Sequence, residues 1–324
     1  MSSTESLAGE ERGYLDDIVD RISANDPTLT EIRLPGNGRY GFNFKPLMST
    51  LAENTSVVRV NLSSNGLCDE DAATLARAVE KNTSVDELVL SHNLISDEGL
   101  SALAMALRRN ASLKKLNLKF NRISDAGLNA LAGALRRNNS LAVLDLGKNS
   151  IGEEGVKGLA GALRENGSLT VLKLPYNTIG DEGAKTLAVD LRRNTSLTEI
   201  DLSHNQIGNE GAKAIARVLG PPSLTEIYVW CKEHLQGKGD SVYIGKQSKI
   251  ALEELQPNTH LSCLFLYSRK IGKEGAAAFL EAFRGNKTIR KFWCNYDKSA
   301  YAIKKEIGEV INANQNRKVR DIKI

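Results

Sequence analysis

The stretch SLKKLNLKFNRISDAGLNALAGALRRN, residues 112–138, contains two hydrophobic patterns in succession. In its first half, Leu116 and Leu118 stand at alternating positions, so they share one face of an extended segment. In its second half, between residues 127 and 135, apolar residues recur at the spacing of a helix face. The stretch therefore predicts a short strand, a turn and a helix.

The same pattern returns every 28 residues and is marked by an asparagine after each strand. One strand and one helix cannot bury a core alone, so the units must stack on one another. The sequence thus predicts an α/β solenoid, a horseshoe of about ten strand units of 28 residues. Parallel strands should line its concave face, and helices should line its convex face. The marking asparagines are Asn37, Asn65, Asn93, Asn121, Asn149, Asn177 and Asn205.

These asparagines are predicted to form a structural ladder rather than a ligand site. A buried amide both donates and accepts hydrogen bonds, so stacked amides can satisfy backbone groups where the chain leaves the strands. A second series of asparagines ends successive helices, and there we predict left-handed C-caps, which asparagine tolerates. Its members are Asn82, Asn110, Asn138, Asn166 and Asn194.

The pattern L-x-x-L-x-L-x-x-N-x-I-x-D/E-E-G, which covers residues 29–220, resembles the ribonuclease-inhibitor class of leucine-rich repeats. The resemblance implies an α/β horseshoe that binds another protein, commonly through the concave face. The opening YLDDIVDRISANDPTLTEIRL, residues 14–34, also resembles the start of the tropomodulin leucine-rich-repeat domain. This second resemblance implies a helix that caps the first strand, and it makes actin binding an alternative function.

Five segments follow from where the repeat is regular and where it breaks. Capping units of a solenoid are expected to depart from the pattern, and an insertion is usually a surface feature. The predicted segments are a flexible N-terminus (1–12), a helical cap (13–28), regular repeats (29–220), irregular repeats (221–297) with an insertion (233–258), and a C-terminal helical cap with a basic tail (298–324).

The first repeat contains a G-x-G-x-x-G sequence at Gly36, Gly38 and Gly41. A dinucleotide site would require an acidic residue on the next strand, which instead carries Asn61 and Ser63. We therefore predict an irregular first turn with no bound phosphate. The aromatic residues packed over the first repeat should be Tyr40, Phe42 and Phe44.

Aromatic residues gather on the last three predicted strands, at positions that face away from the core. Adjacent strands lie ~4.8 Å apart, so these residues should lie close together. Either they form an interface hot spot, or the insertion or the tail covers them. The predicted partner-binding residues are Tyr228, Trp230, Phe265, Tyr267, Trp293 and Tyr296, flanked by Lys232, Arg269, Arg290 and Lys291.

Sequence patterns for catalysis or metal binding are missing. The chain has no H-E-x-x-H, G-x-S-x-G or C-x-x-C sequence. His92 and His204 hold the same place four repeats apart, ~19 Å at the spacing of adjacent strands, so we interpret both as surface turn residues. We expect no catalytic residue, no metal site and no cofactor.

Composition and charge limit the expected cellular location and the kind of partner. No window offers the apolar run of a membrane span, and the first residues lack the apolar core of a secretory signal. We therefore expect a monomer in the cytoplasm, with the nucleus as an alternative, rather than a secreted protein. Residues 283–324 carry eleven Lys or Arg against four Asp or Glu, which favours an acidic partner.

The resulting hypothesis is a non-enzymatic scaffold that binds another protein on the C-terminal half of the concave face. One alternative is regulation of an enzyme, as by the small-GTPase activators and nuclease inhibitors of the resembled class. Tropomodulin-like actin binding is a second alternative. Nucleic-acid binding at the basic, aromatic end is a third and less favoured one, for which stacking with cations would be the mechanism.

Overall fold

The computed structural model describes residues 3–36, 43–191, 193–207, 211, 214, 226–229, 263–271, 280, 291–296 and 301–320. Side chains are described for residues 13–36, 43–191, 193–207, 211, 214, 280 and 302–313. The chain divides into two compact units, Met1–Ile151 and Gly152–Ile324.

The first unit alternates helices and short strands, and its five strands run parallel in chain order. Successive strands pair residues that are 28 positions apart, as in Val60↔Leu88 and Leu88↔Leu116. Its elements are α1 (Ser3–Ser23), β1 (Glu31–Arg33), α2 (Lys45–Thr50), β2 (Arg59–Asn61), α3 (Asp69–Lys81), β3 (Glu87–Val89), α4 (Asp97–Leu107), β4 (Lys115–Asn117), α5 (Asp125–Leu135) and β5 (Val143–Asp145).

The second unit begins with the same alternation and also builds a parallel sheet in chain order. Its elements are α6 (Glu153–Leu163), β6 (Val171–Lys173), α7 (Asp181–Leu191), β7 (Glu199–Leu202), β8 (Glu226–Val229), β9 (Cys263–Ile271), β10 (Lys291–Tyr296) and α8 (Tyr301–Arg320).

The predicted fold class, parallel strands alternating with helices in a leucine-rich-repeat solenoid, is confirmed. Strict 28-residue spacing, however, holds for seven strands, β1 to β7, rather than for about ten. Strand β8 begins 27 residues after β7, and β9 begins 37 residues after β8. The interval between β8 and β9 contains the segment of the predicted insertion, 233–258, which lies outside the described residues.

The core of each described repeat lies between the strand and the helix that follows it. The middle residue of every three-residue strand is buried, whereas its neighbours are half-buried or exposed. In the repeat quoted above, Leu116, Leu118, Leu128 and Leu131 are each at most 1% exposed. Burying one such leucine is worth about 1.5–3 kcal/mol, so the repeated pattern supplies the main stabilising term.

Helix α1 covers the N-terminal end of the first unit. Leu15, Ile18 and Ile22 are buried, as expected for a helix that caps the first strand. The helix begins at Ser3, whereas the sequence placed its start at Gly13 after a flexible segment, 1–12. The extension has a physical basis, because that segment contains Glu, Leu, Ala and Arg, which favour helices.

The turn after β1 contains the first glycine of the G-x-G-x-x-G sequence. Gly36 has a φ of +77°, and a Cβ there would meet nothing within 4 Å. Glycine is therefore favoured by the backbone conformation rather than by lack of space. Phe44 is buried, as predicted. Residues Asn37, Gly38, Tyr40, Gly41 and Phe42 lie outside the described part of the chain.

Helix α8 lies next to β10 at the C-terminal end of the second unit. Ile307 and Ile311 are buried, and Ile303 and Val310 are half-buried. These four residues recur at the spacing of one helix face. Residues 321–324, which include Lys323, lie outside the described residues.

Candidate protein-binding surfaces

The first asparagine ladder holds the turns of neighbouring repeats together. The Asn93 side chain donates from Nδ2 to the carbonyl oxygens of Leu62 (3.1 Å) and Leu90 (2.9 Å). Its Oδ1 accepts from the backbone N–H groups of Asn65 (2.9 Å) and Leu67 (3.1 Å). The amide therefore acts within the fold, as the sequence predicted. The same bonds from an amide to its own and the preceding turn recur at Asn121, Asn149 and Asn205.

A second asparagine ladder runs through the loops that join each helix to the next strand. Asn110 donates to the carbonyl oxygens of Val79 (2.7 Å) and Asn82 (3.0 Å), and its Oδ1 accepts from the N–H of Leu113 (2.8 Å). All members are buried. They are Asn54, Asn82, Asn110, Asn138, Asn166 and Asn194.

The predicted left-handed C-cap at these asparagines is wrong for Asn82, where the structure gives the cap geometry directly. Asn82 follows α3 with φ −67° and ψ 137°, which is extended backbone. The amide is used for hydrogen bonds to the preceding repeat, 28 to 31 residues away. The sequence around the helix end does not show these hydrogen-bond partners, because they lie in the preceding repeat.

The left-handed conformation occurs instead at the residue before each first-ladder asparagine. Ser64, His92, Phe120 and Lys148 of the first unit have φ between 52° and 61°, and Tyr176 and His204 of the second unit have φ 57°. A bond to the next repeat fixes this geometry: the N–H of His92 donates to Lys119 (2.9 Å), and that of Phe120 donates to Gly147 (2.8 Å).

Side chains at this left-handed position stack on one another at the surface. In the first unit, the His92 and Phe120 rings stack with centroids 4.4 Å apart, and Lys148 Nζ lies 5.1 Å from the centre of the Phe120 ring. In the second unit, Tyr176 and His204 stack at 3.8 Å. The two histidines are turn residues, as predicted, but the sequence interpretation missed the aromatic stacks.

Charged residues on the strand face of the first unit pair mainly with each other. Glu87 on β3 lies 3.8 Å from Arg59 on β2 and 3.4 Å from Lys115 on β4. Arg33 pairs with Glu31 on β1. Such exposed pairs stabilise little, roughly 0–1 kcal/mol each, but they leave little unbalanced charge for a partner.

The predicted C-terminal aromatic site falls on strands whose register is described. Tyr228 on β8 pairs with Phe265 on β9, and Phe265 pairs with Trp293 on β10. These are the neighbours that the sequence alignment of repeats had placed side by side. Four more predicted residues also lie on the described strands, namely Tyr267, Arg269, Lys291 and Tyr296. Trp230, Lys232 and Arg290 lie outside the described residues.

Within the described part of the chain, no group of three or more His, Cys, Asp or Glu could hold a metal ion. No described helix is both long and apolar enough to cross a bilayer. Cys68 is an exposed free thiol.

Two family profiles match the chain. The TMOD/LMOD Leucine-rich domain matches residues 13–122, and a Leucine Rich repeat profile matches residues 137–160, 165–188 and 193–216. The matches confirm that the chain is a leucine-rich-repeat protein. The first match includes the N-terminal stretch that resembles tropomodulin.

Among solved structures, the chain is similar to "Leiomodin-1 Actin-Binding Site 2 (ABS2)", with 23% identity over 55% of this chain and 88% of that chain, at a TM-score of 0.37. It is also similar to the tropomodulin C-terminal domain of Caenorhabditis elegans, with 17% identity over 56% of this chain and 92% of that chain, at a TM-score of 0.37. No curated protein is significantly similar to the chain in sequence.

Proposed function

We propose that the chain is a non-enzymatic scaffold whose protein partner docks on the strand face formed by β8, β9 and β10. The observation that supports this proposal is the register that places Tyr228, Phe265 and Trp293 on three adjacent strands. Neighbouring strands are ~4.8 Å apart, so the three positions lie within roughly 10 Å of one another. Aromatic clusters of this kind are typical of interface hot spots.

Basic residues flank these aromatics and define the chemistry of the partner. Arg269 lies on β9 and Lys291 on β10, close in sequence to Arg290. A basic rim around an aromatic centre favours an acidic partner, because the charges accelerate encounter while the aromatic contacts slow dissociation. The strand face of the first unit, whose charges are largely paired, offers no comparable excess of one sign.

The proposal is tested by capture of partners from a lysate with the native chain and a triple variant, Trp230→Ala/Phe265→Ala/Trp293→Ala. A matched control is Met105→Ala/Val189→Ala, because these two exposed apolar residues, 68% and 66% exposed, lie on helices away from the strand face. Circular dichroism establishes that all three proteins are folded.

We expect a partner that the native chain and the control recover and that the triple variant loses. The purified partner should then bind the native chain directly, with an affinity that falls as salt is added. A folded triple variant that recovers the same partners would contradict the proposed site. In that case the aromatic cluster packs inside the C-terminal cap.

Actin is a second candidate partner, favoured by the family profile that matches residues 13–122. The test is cosedimentation of the purified chain with actin filaments, and comparison with the triple variant. If the native chain cosediments with actin and the triple variant does not, actin is the partner of the β8–β10 face. If both proteins cosediment equally, actin binds another surface. If neither protein cosediments, actin is not the partner, and the lysate experiment tests the scaffold proposal.

A further inference from the structure

A second surface lies on the turns of the first unit, far in sequence from β8–β10. We call it the turn row: His92, Phe120 and Lys148 at the left-handed position, with Leu94, Lys119 and Arg122 beside them. His92, Leu94, Phe120, Arg122 and Lys148 are exposed, and Lys119 is half-buried. The proposed function assigns no role to these residues.

The turn row is held rigidly. The N–H groups of His92 and Phe120 donate to carbonyl oxygens of the next repeat, and the ladder amides of Asn93 and Asn121 bond their turns to the preceding repeat. The backbone beneath the exposed side chains is therefore set before any partner arrives. Surfaces ordered in advance lose little conformational entropy on binding.

The turn row also carries positive charge. The three turns concerned are those of Asn93, Asn121 and Asn149. The residues directly before and after each of these asparagines, and the residue two before it, include three cations and no Asp or Glu. The cations are Lys119, Arg122 and Lys148. Within the described part of the chain, the side chains of Lys119 and Arg122 form no ion pair. Their charge is therefore available to an external carboxylate.

We propose that the turn row binds an acidic segment of a partner protein. Carboxylates of the segment would pair with Lys119, Arg122 and Lys148, and an apolar side chain of the segment would lie against Leu94 and the open edge of Phe120. Phe120 is 45% exposed and Leu94 is 41% exposed, so both present apolar area beside the cations. This surface is independent of the one proposed on β8–β10.

The stacking geometry favours a peptide over a nucleic acid. His92 and Lys148 come from the repeats on either side of Phe120, and each lies over its ring. A nucleobase that stacks on an aromatic residue needs one face of the ring. Here a base would first have to displace His92 or Lys148, whereas a peptide can use the ring edge.

The probe is a short fluorescein-labelled peptide of alternating Asp and Leu, and binding is measured by anisotropy with the full chain. The test variant is Lys119→Gln/Arg122→Gln/Lys148→Gln. The matched control, Arg108→Gln/Arg136→Gln/Arg137→Gln, removes the same charge from a groove between α4 and α5 on the helical face. Each exposed ion pair contributes only a modest binding free energy, but the test variant removes three of them at once. It should therefore bind the peptide at least about tenfold more weakly than the native chain.

The native chain and the control should bind the peptide equally, and added salt should weaken both. A Phe120→Ala variant should lose part of the affinity while it keeps the salt dependence. The β8–β10 triple variant should bind like the native chain, so failure of one proposal is distinguishable from failure of the other.

The proposal is overturned if the test variant and the control lose affinity equally, because binding is then only a response to net charge. It is also overturned if a peptide with Asn in place of Asp binds as well. Finally, a labelled single-stranded oligonucleotide that binds more tightly than the peptide, and only when the turn row is intact, would make this surface a nucleic-acid site.

Discussion

At the scale of single residues, buried amides decide how one repeat joins the next. Asn138 is 2% exposed, and its Nδ2 donates to the carbonyl oxygens of Leu107 (2.7 Å) and Asn110 (3.1 Å). Its Oδ1 accepts from the N–H groups of Ser140 (3.1 Å) and Leu141 (2.8 Å). One side chain thus satisfies four backbone groups from two successive loops.

Replacement of Asn138 by Ala should therefore cost much more than an ordinary surface change. Each buried backbone group left without a partner costs about 1–3 kcal/mol, so we expect a loss of about 2–4 kcal/mol in the free energy of unfolding. Asn139→Ala is the control, because the adjacent Asn139 is exposed and should change stability by less than about 0.5 kcal/mol. Urea denaturation measures both, and equal effects would refute the second ladder.

The two ladders show what sequence can predict at this scale. The first was predictable because each amide follows a strand, where lost backbone partners call for a side chain that both donates and accepts. The second was missed because an asparagine at a helix end has two uses, a left-handed cap or a bonding amide. The partners of Asn110 in the preceding repeat decide between the two uses, and periodicity alone does not display them.

At the scale of elements, the acid at the start of one helix anchors the start of the next. Asp69 Oδ1 accepts from the N–H groups of Ser96 (2.7 Å) and Gly99 (3.0 Å), and Oδ2 accepts from Ser96 Oγ (2.6 Å). Acids at the start of a helix interact favourably with the positive end of the helix dipole. They also cap the N-terminus of the following helix, where backbone N–H groups lack intrahelical partners.

This anchor explains the glycine of the D/E-E-G pattern and predicts opposite effects for one substitution at two places. A Cβ at Gly99 would lie 2.5 Å from Asp69 Oδ1, whereas a Cβ at Gly133 in α5 would meet nothing within 4 Å. Gly99→Ala should destabilise by about 1–3 kcal/mol through overpacking. Gly133→Ala should stabilise by about 0.5–1 kcal/mol, because alanine favours a helix interior.

Thermal denaturation followed by circular dichroism compares the two glycine variants with the native chain. A rise in melting temperature for both variants would mean that Asp69 moves aside without cost. That result would remove the packing explanation of the glycine.

The end of helix α1 carries a titratable contact with the loop before β1. Hydrogen bonds from the Thr28 hydroxyl, from Arg21 and from the Thr28 N–H lower the pKa of Asp26 to about 2 from its usual 3.8. A carboxyl whose pKa is lower in the folded chain stabilises it above the unfolded pKa. That contribution disappears as the pH falls from about 4 to about 2.

We therefore expect Asp26→Asn to lower stability at neutral pH and to reduce the loss of stability between about pH 4 and about pH 2. Asp16→Asn removes another exposed carboxylate from the same helix region and serves as the control. Urea denaturation across this pH range measures the change. If the native chain and Asp26→Asn lose the same stability between about pH 4 and about pH 2, the Asp26 contact does not contribute to the pH dependence.

At the scale of the whole molecule, the two proposed surfaces lie on different repeats and use different residues. Variants at distant sites without shared partners usually have additive effects. The turn-row variant Lys119→Gln/Arg122→Gln/Lys148→Gln should leave capture by the β8–β10 face unchanged apart from a small loss of electrostatic attraction. The affinity for the acidic peptide is measured with and without the partner of the β8–β10 face. A change in affinity clearly above experimental error would mean that both surfaces bind one partner.

The regular repeats were predictable from sequence because their period is strict and every unit has the same hydrophobic positions. The turn row was not, because its side chains vary from His to Phe to Lys. Only the stacking of neighbouring turns shows that they form one surface. On β8–β10 the alignment of aromatics was predictable because the strand pattern continues there, whereas the sequence of residues 233–258 has no repeat register to follow.

The second ladder also bears on protein modification. Each of its asparagines stands in an Asn-x-Ser/Thr sequence, from Asn54-Thr-Ser to Asn194-Thr-Ser, which is the acceptor pattern for N-linked glycans. In the folded chain these side chains are buried and bonded to the neighbouring loops. A sugar attached to any of them during synthesis would leave no room for the ladder, so the repeats can reach this structure only if these asparagines remain bare.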